Sequence, residues 1–274
     1  MKVAIIGYGF VGKAVSYGFT GCHQMKIDPH LFGNDVADLI EWKPDVTFVC
    51  VPTPMGEDKS IDASIVKEVV DFLKDNVVGL IVIKSTVTPD NLTVIRSGAN
   101  ADRIIYNPEF LTERNAEEDF INPRMHVLGG EYEMTKKLQE IYEQYSLCKP
   151  CPVYHMTPEE ASFVKYGINC FLATKVLWFN QFYDIVEGAG ASNFTKVINA
   201  ISEDERVGGS HTRVPGFDGK RGYGGACFPK DTTALANTYK HMFPLLEKVI
   251  EENNKYRAMY DKDEREIAQG VKYD

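Results

Sequence analysis

No apolar run in this 274-residue chain reaches the length of a bilayer span, which argues against a membrane helix. Basic residues are in deficit: 30 Lys and Arg stand against 39 Asp and Glu, for a net charge of −9 at pH 7. An acidic chain with no evident basic face is not expected to bind nucleic acid, although a local basic pocket can still take an anionic small ligand. The N-terminus lacks a charged segment followed by an apolar one and a cleavage site. The six cysteines, at 22, 50, 148, 151, 170 and 227, are therefore expected to be reduced thiols in the cytoplasm rather than a disulfide framework. Cys148-Lys149-Pro150-Cys151 has the spacing of a redox pair or half a zinc site. No second pair of closely spaced Cys or His follows, and the segment does not run from strand to helix. The expectation is two loop cysteines and no metal. Internal repeats and low-complexity stretches are also missing. What remains is an ordinary globular composition, 44% hydrophobic and 25% charged, long enough for two domains.

Residues 2–6 read as an apolar strand, and Gly7-Tyr8-Gly9-Phe10-Val11-Gly12 follows at once, before a helical stretch. This is the glycine fingerprint of a dinucleotide site in the context that gives it meaning. Gly7 would allow the tight turn, Gly9 the approach of a pyrophosphate, and Gly12 close packing of helix on sheet. The helix N-terminus would hold the phosphates. A second strand ends at Asp28, 16 residues after Gly12. Asp28 suits the ribose hydroxyls of NAD and would repel the 2′-phosphate of NADP; alone, it could equally be a turn acid. Further apolar runs lead into Pro52-Thr53-Pro54, Lys84-Ser85-Thr86-Val87 and Asn107-Pro108-Glu109-Phe110-Leu111, and another covers 125–130. Helical segments such as Ser64–Asn76 lie between them, predicting a mostly parallel, Rossmann-like sheet. Each polar loop taken singly is turn chemistry. Together they stand at strand carboxyl ends, where ligands of such sheets bind.

From residue 156 the pattern is helical, predicting an NAD-binding domain over 1–155 and an all-helical domain over 156–274, which the family resemblance given below makes a dimerisation domain. Thr157-Pro158-Glu159-Glu160 has the cap, proline and acids of a helix start. Lys165 and Asn169, four apart, share a face of that helix, as either a polar pocket or a solvated stripe. A second helix is expected over 193–202, a polar loop over 204–225, and one long helix over 230–268 with a charged, solvated or fraying tail.

The most informative stretch is Gly222-Tyr223-Gly224-Gly225-Ala226-Cys227-Phe228-Pro229-Lys230-Asp231. Pro229 suits a first helical turn, which puts Cys227 at or just before a helix N-terminus. The helix charge and Lys230 there favour thiolate over thiol, and Asp231 can take a proton or orient a water. By itself a lone cysteine is more often a buried residue in a turn.

Together these motifs resemble the UDP-glucose 6-dehydrogenase and GDP-mannose dehydrogenase family, in the family's order and over nearly the whole chain. The resemblance implies a twofold NAD-dependent oxidation of a nucleotide-sugar C6 alcohol, with UDP-glucose going to UDP-glucuronate and GDP-mannose as the alternative substrate. It implies that Cys227 forms a thiohemiacetal and then a thioester, that Asp231 with Thr86 and Glu113 handles water and proton, and that Lys165 and Asn169 stabilise oxyanion charge. Cofactor contacts are expected from Gly7, Gly9, Phe10, Val11, Gly12, Asp28, Pro52, Thr53, Thr86, Glu113 and Lys230. Glu109, Phe110 and Leu111 match the sugar-pocket segment. His211, Phe217, Tyr223 and Gly224 match the loop over the sugar, and Arg206 matches an arginine that reaches the diphosphate from a neighbouring subunit of a homodimer. Three departures stand out: the family continues into a third, nucleotide-gripping domain, so a short form is expected; the stretch from Asp28 to Asp45 is short; and Thr112 and Gln181 replace a common arginine and glutamate. These bear on affinity and substrate more than on chemistry. They leave two rivals, a non-catalytic NAD- or nucleotide-sugar-binding protein, and a hydroxyacid dehydrogenase that needs no nucleophilic cysteine.

Overall fold

The first strands are apolar almost throughout because helices cover both faces of the sheet they form. The computed structural model of the protein describes residues 1–190 and 193–274. In chain order the first part runs β1 (Lys2–Ile6), α1 (Phe10–Gly18), β2 (His23–Ile27), α2 (Asp38–Trp42), β3 (Val46–Val49), α3 (Ser64–Asn76) and β4 (Leu80–Ile83). It continues with α4 (Pro89–Ile95), β5 (Ile104–Tyr106), α5 (Ala116–Ile121), β6 (His126–Gly129), α6 (Tyr132–Tyr145) and β7 (Val153–Met156). All four residues of β3 and of β4 are buried. The strand order is β2-β1-β3-β4-β5-β6-β7. Every neighbouring pair is parallel except β5 and β6, which meet antiparallel at Tyr106 and Gly129. The expected mostly parallel α/β sheet is therefore present. Its order reverses at β1, between β2 and β3, and this switch point is where such sheets open a crevice. Under it, the Phe19 ring centre lies 5.2 Å from that of Phe48 and 5.6 Å from that of Tyr142, both pairs tilted, so α1 and α6 share one aromatic core with the sheet.

The second part is helical: α7 (Pro158–Gly188), α8 (Phe194–Ser202), α9 (Phe228–Thr238), α10 (Pro244–Arg257) and α11 (Glu264–Ala268). Thr157 and Glu160 exchange the two bonds of a capping box, Thr157 N to Glu160 Oε2 at 2.8 Å and Glu160 N to Thr157 Oγ1 at 3.2 Å. This starts α7 where the sequence places it. One core gathers Ala173, Leu177, Tyr223 and Val249; another gathers Phe179, Val186, Phe194 and Ile198.

The single helix expected over 230–268 is three. Thr238 ends the first, His241 takes a left-handed φ of 66°, and Pro244 opens the second. Asp263 and Glu266 form a capping box that opens the third. The charged tail is also not a solvated end: Asn253, Arg257 and Glu266 are buried.

The chain divides into two compact units, Met1–Thr53 with Asp62–Lys165, and Pro54–Ile61 with Tyr166–Asp274. The division thus falls inside α7 rather than at 155/156. The first turns of α7 go with the sheet because Ser162 Oγ donates to Val87 O at 2.7 Å and Thr93 Oγ1 to Glu159 Oε1 at 3.2 Å. Pro54–Ile61 goes with the helices because Met55 N donates to Gln269 O, Asn237 Nδ2 to Asp58 O and Lys272 Nζ to Glu57 O.

Candidate active site

In the first unit, the turn after β1 lies against the end of β3. Gly7 has a φ of 86°, and a Cβ there would sit 2.6 Å from Cys50 O; a Cβ on Gly12 would sit 2.0 Å from Gly7 O. No side chain fits at either position. Gly9 is exposed with nothing within 4 Å of where its Cβ would be, so its backbone stands open at the N-terminus of α1. Asp28 Oδ2 accepts from Tyr8 N at 2.9 Å and Oδ1 from His30 N at 3.0 Å, which fixes the carboxylate beside the same turn. Phe10 and Val11 are half-buried at the start of α1. An open glycine, a helix N-terminus and a fixed acid fit a dinucleotide pyrophosphate and ribose. After β3, Pro52 is exposed and Thr53 buried.

The loops after β4 and β5 are tied together beneath the surface. Lys84 Nζ donates to Asn107 Oδ1 at 3.1 Å, Tyr142 OH donates to the same oxygen at 2.7 Å, and Asn107 Nδ2 donates to Val127 O at 2.9 Å. Burial lowers the Lys84 ammonium to about 8, with Cys50 and Glu109 pulling the other way. Burial pushes the Cys50 thiol up to about 12. Lys84 and Asn107 are thus scaffold within their motifs.

Glu109 and Lys165 are brought together. Lys165 Nζ donates to Glu109 Oε1 at 2.9 Å and to Glu109 O at 2.6 Å, and Leu111 N donates to Glu109 Oε2 at 2.7 Å. The ammonium also stands 5.6 Å from the centre of the Phe110 ring. Both partners of this ion pair are buried. Thr86 is half-buried, just past β4. Glu113 is exposed on a single 3-10 turn, Glu113–Asn115.

In the second unit, Cys227 is the N-cap residue of α9. Its thiol sits at the end of the helix that carries partial positive charge. Behind it, Asp231 is fully buried; it accepts from Lys230 Nζ at 2.6 Å and from Asn169 Nδ2 at 2.6 Å. Lys230 is itself buried, so here it is an interior counter-ion, not a cation set out toward phosphates.

The loop before Cys227 is held residue by residue. Gly222 N donates to Asn180 Oδ1 at 3.0 Å, Tyr223 N to Asn253 Oδ1 at 2.7 Å and Gly225 N to Glu266 Oε1 at 3.1 Å. Asn253 Nδ2 returns a bond to Tyr223 O at 3.0 Å. The Tyr223 ring is buried edge-on to Phe228, in the core rather than over an open pocket. Asn180, Asn253, Arg257 and Glu266 escaped the sequence reading. A signal existed for two of them, because Asn253 and Arg257 continue the spacing of Leu246 and Val249 along the buried face of α10. His211 and Phe217 are exposed in the preceding loop. Arg206 is also exposed, bonded to Asp204 Oδ2 at 2.6 Å.

Burial raises both the Cys148 and the Cys151 thiols. Among the described residues no group of His, Cys, Asp and Glu has a metal-binding arrangement, and no helix is long and apolar enough to cross a membrane.

Comparison with known proteins gives a consistent pattern. Residues 30–146 match the NAD binding domain of the UDP-glucose/GDP-mannose dehydrogenase family, and residues 159–255 match that family's central domain. UDP-glucose 6-dehydrogenase TuaD of Bacillus subtilis is 33% identical over 240 residues, which are 83% of this chain and 50% of that protein. UDP-glucose 6-dehydrogenase of Campylobacter jejuni is 30% identical, over 95% of this chain and 73% of that protein. The chain therefore spans between half and three quarters of the length of these two relatives. A UDP-glucose dehydrogenase from Pyrobaculum islandicum has a similar fold, with a TM-score of 0.78 at 24% identity over 93% of this chain and 68% of that one.

Proposed function

The chain belongs to the UDP-glucose/GDP-mannose dehydrogenase family, and from that premise we propose that it is an NAD-dependent nucleotide-sugar 6-dehydrogenase acting on UDP-glucose. The observation that carries this reading is Cys227, at the N-cap position of α9 at the end of a fixed loop, with Asn169, Lys230 and Asp231 behind it. A protein that only bound the cofactor or the sugar would not need that set.

The turn Gly7 to Gly12 and Asp28 would hold NAD by its pyrophosphate and ribose. Bound there, NAD supplies the hydride acceptor for both oxidations of the C6 alcohol. Once the alcohol is an aldehyde, the Cys227 thiolate adds to its carbonyl carbon and gives a thiohemiacetal. The second oxidation converts this to a thioester, and water releases the acid and the free thiol. Asp231 has about four lone-pair sites, of which Lys230 and Asn169 take two, so capacity remains to accept a proton from that water. Lys165 is anchored by Glu109 and Asn169 by Asp231, and as the resemblance implies each would serve as an oriented donor to the oxyanion. By the family resemblance, Glu109, Phe110 and Leu111 would contribute to sugar binding from the first unit, and His211, Phe217 and Gly224 from the second. Six cysteines, none in a disulfide among the described residues, suit a reducing compartment, the cytoplasm.

The test is NADH formation at 340 nm with NAD and UDP-glucose, with GDP-mannose alongside. Two NADH per UDP-glucose is the expected result. Two per GDP-mannose would move the substrate within the class, and no turnover with either despite NAD binding would favour a binding protein.

The same reading includes a homodimer formed along α7. Phe171, Trp178 and Ile185 are 67%, 52% and 66% exposed and stand seven residues apart, so they form one apolar stripe. A second copy laid on that stripe would cover it, and the exposed Arg206 is available to a neighbouring subunit's diphosphate. Trp178→Glu is expected to convert the dimer to monomer in light scattering and to raise KM for the nucleotide sugar about tenfold or more through the lost Arg206 contact, roughly one to two charge-assisted hydrogen bonds. A wild-type monomer would overturn this part of the reading.

A further inference from the structure

A glutamate at the third position of a helix needs only one carboxylate oxygen to close a capping box, and such residues ordinarily face water. Glu266 uses Oε2 for that purpose, accepting from Asp263 N at 2.9 Å. Its other oxygen is turned inward, and the residue is fully buried. Oε1 accepts from Arg257 Nη2 at 2.6 Å, from Tyr273 OH at 2.6 Å and from Gly225 N at 3.1 Å. Capping does not require this interior cluster. It does fix the loop that leads to Cys227.

Gly225 lies two residues before Cys227 and has a φ of 81°. Its amide, in that left-handed turn, donates to Glu266. Gly224 is fixed by the same group, since a Cβ there would lie 2.2 Å from Arg257 Nη2 and 2.5 Å from Glu266 Oε1. Arg257, 1% exposed, reaches the other way with Nη1 to Asp218 Oδ2 at 2.7 Å. One buried arginine therefore spans the segment from Asp218 to Gly224, and Glu266 balances its charge. Burial alone would raise the Glu266 carboxyl, but hydrogen bonds from Tyr273 and from the Asp263 and Gly225 amides, with the Arg257 charge, hold it below the usual range. It is an ionised anchor. The tail is fastened in turn: Tyr273 donates to Glu266, and Lys59 Nζ donates to Asp274 O at 2.7 Å.

We propose that Glu266, with Tyr273 behind it, is a positioning residue for the Cys227 loop, setting the thiol at the N-terminus of α9. The catalytic meaning of that loop rests on the function proposed above, but its placement can be measured without any substrate. The experiment is site-resolved alkylation of the 274-residue chain by iodoacetamide, followed by mass spectrometry, in wild type, Glu266→Ala and Tyr273→Phe. Cys22, in the other unit, serves as the internal reference. Glu266→Ala is expected to change the alkylation rate of Cys227 at least fivefold while Cys22 keeps its rate. A rise would mean that the loop has opened, a fall that the thiol has left the helix end; either supports positioning. Tyr273→Phe, which removes one donor and keeps the carboxylate, should change it in the same direction by a smaller factor, and this variant decides the matter if Glu266→Ala does not fold. An unchanged Cys227 rate in the folded variants, with only a lower Tm, overturns the proposal and leaves Glu266 as a stabilising residue. NADH assays on the same variants are read separately. If wild type makes no NADH, the functional reading fails while the alkylation result still stands.

Discussion

Replacing Cys227 with serine is expected to lower acid formation at least about a thousandfold, a loss of roughly 4 kcal/mol of transition-state stabilisation. The hydroxyl keeps the shape of the side chain at the N-cap of α9, so folding should be unaffected. It is far less acidic than a thiol and cannot be captured as a thioester that water readily cleaves. The first oxidation does not use the sulfur. A variant mixed with NAD and UDP-glucose should therefore stop after one NADH at most, with aldehyde bound or released. Counting NADH per sugar consumed, with acid measured by mass spectrometry, checks both halves of the expectation. Full turnover to acid would remove the covalent mechanism and favour a dehydrogenase that ends at the carbonyl.

Lys230→Met should destabilise the second unit by about 3–5 kcal/mol, because it leaves a buried carboxylate with a neutral partner only. Asp231 is fully buried, and its charge is met by Lys230 at 2.6 Å; Asn169 offers a hydrogen bond but no charge. The double change Lys230→Met with Asp231→Asn should recover most of that stability, since a neutral amide no longer needs a cation, while turnover stays lost with the carboxylate. Urea unfolding followed by Trp178 fluorescence in a Trp42→Phe background reads the second unit, and treating the chain as one transition would blur it. If Lys230→Met were as stable as wild type and instead bound NAD or the sugar nucleotide poorly, Lys230 would belong with the phosphates, as the motif resemblance implies.

What could be read from the sequence was short in range. The turn Gly7 to Gly12 and the helix over Ser64–Asn76 depend on neighbours a few residues away, and so does the start of α7 at Thr157 and Glu160. Cys227 at the head of a helix followed from Pro229 two residues on. β7 escaped notice because Val153–Met156 is four residues long and largely unburied, and gives no apolar run to see. The break at Pro244 and the capping box at Asp263 were legible local signals, yet charge density suggested one continuous helix instead. Arg257 is a different case. Its partner Asp218 lies 39 residues upstream, and nothing in a charged stretch tells which arginine will be the buried one. Lys230 shows the same limit from the other side, because its role depends on whether Asp231 faces inward, and spacing is silent on that.

A ribosome makes this chain in an order that the second unit cannot use. Pro54–Ile61 emerges early, but Met55, Glu57 and Lys59 find their partners in Gln269, Lys272 and Asp274, more than two hundred residues later. The Cys227 loop likewise waits some forty residues for Glu266. The sheet unit lacks only the span from 54 to 61 and can close around its own core while synthesis continues. The helical unit, and with it the loop before Cys227, is completed only when residues 266–274 are free to fold back. Translation thus delivers the sheet unit first and withholds the final setting of the Cys227 loop until Glu266 has emerged.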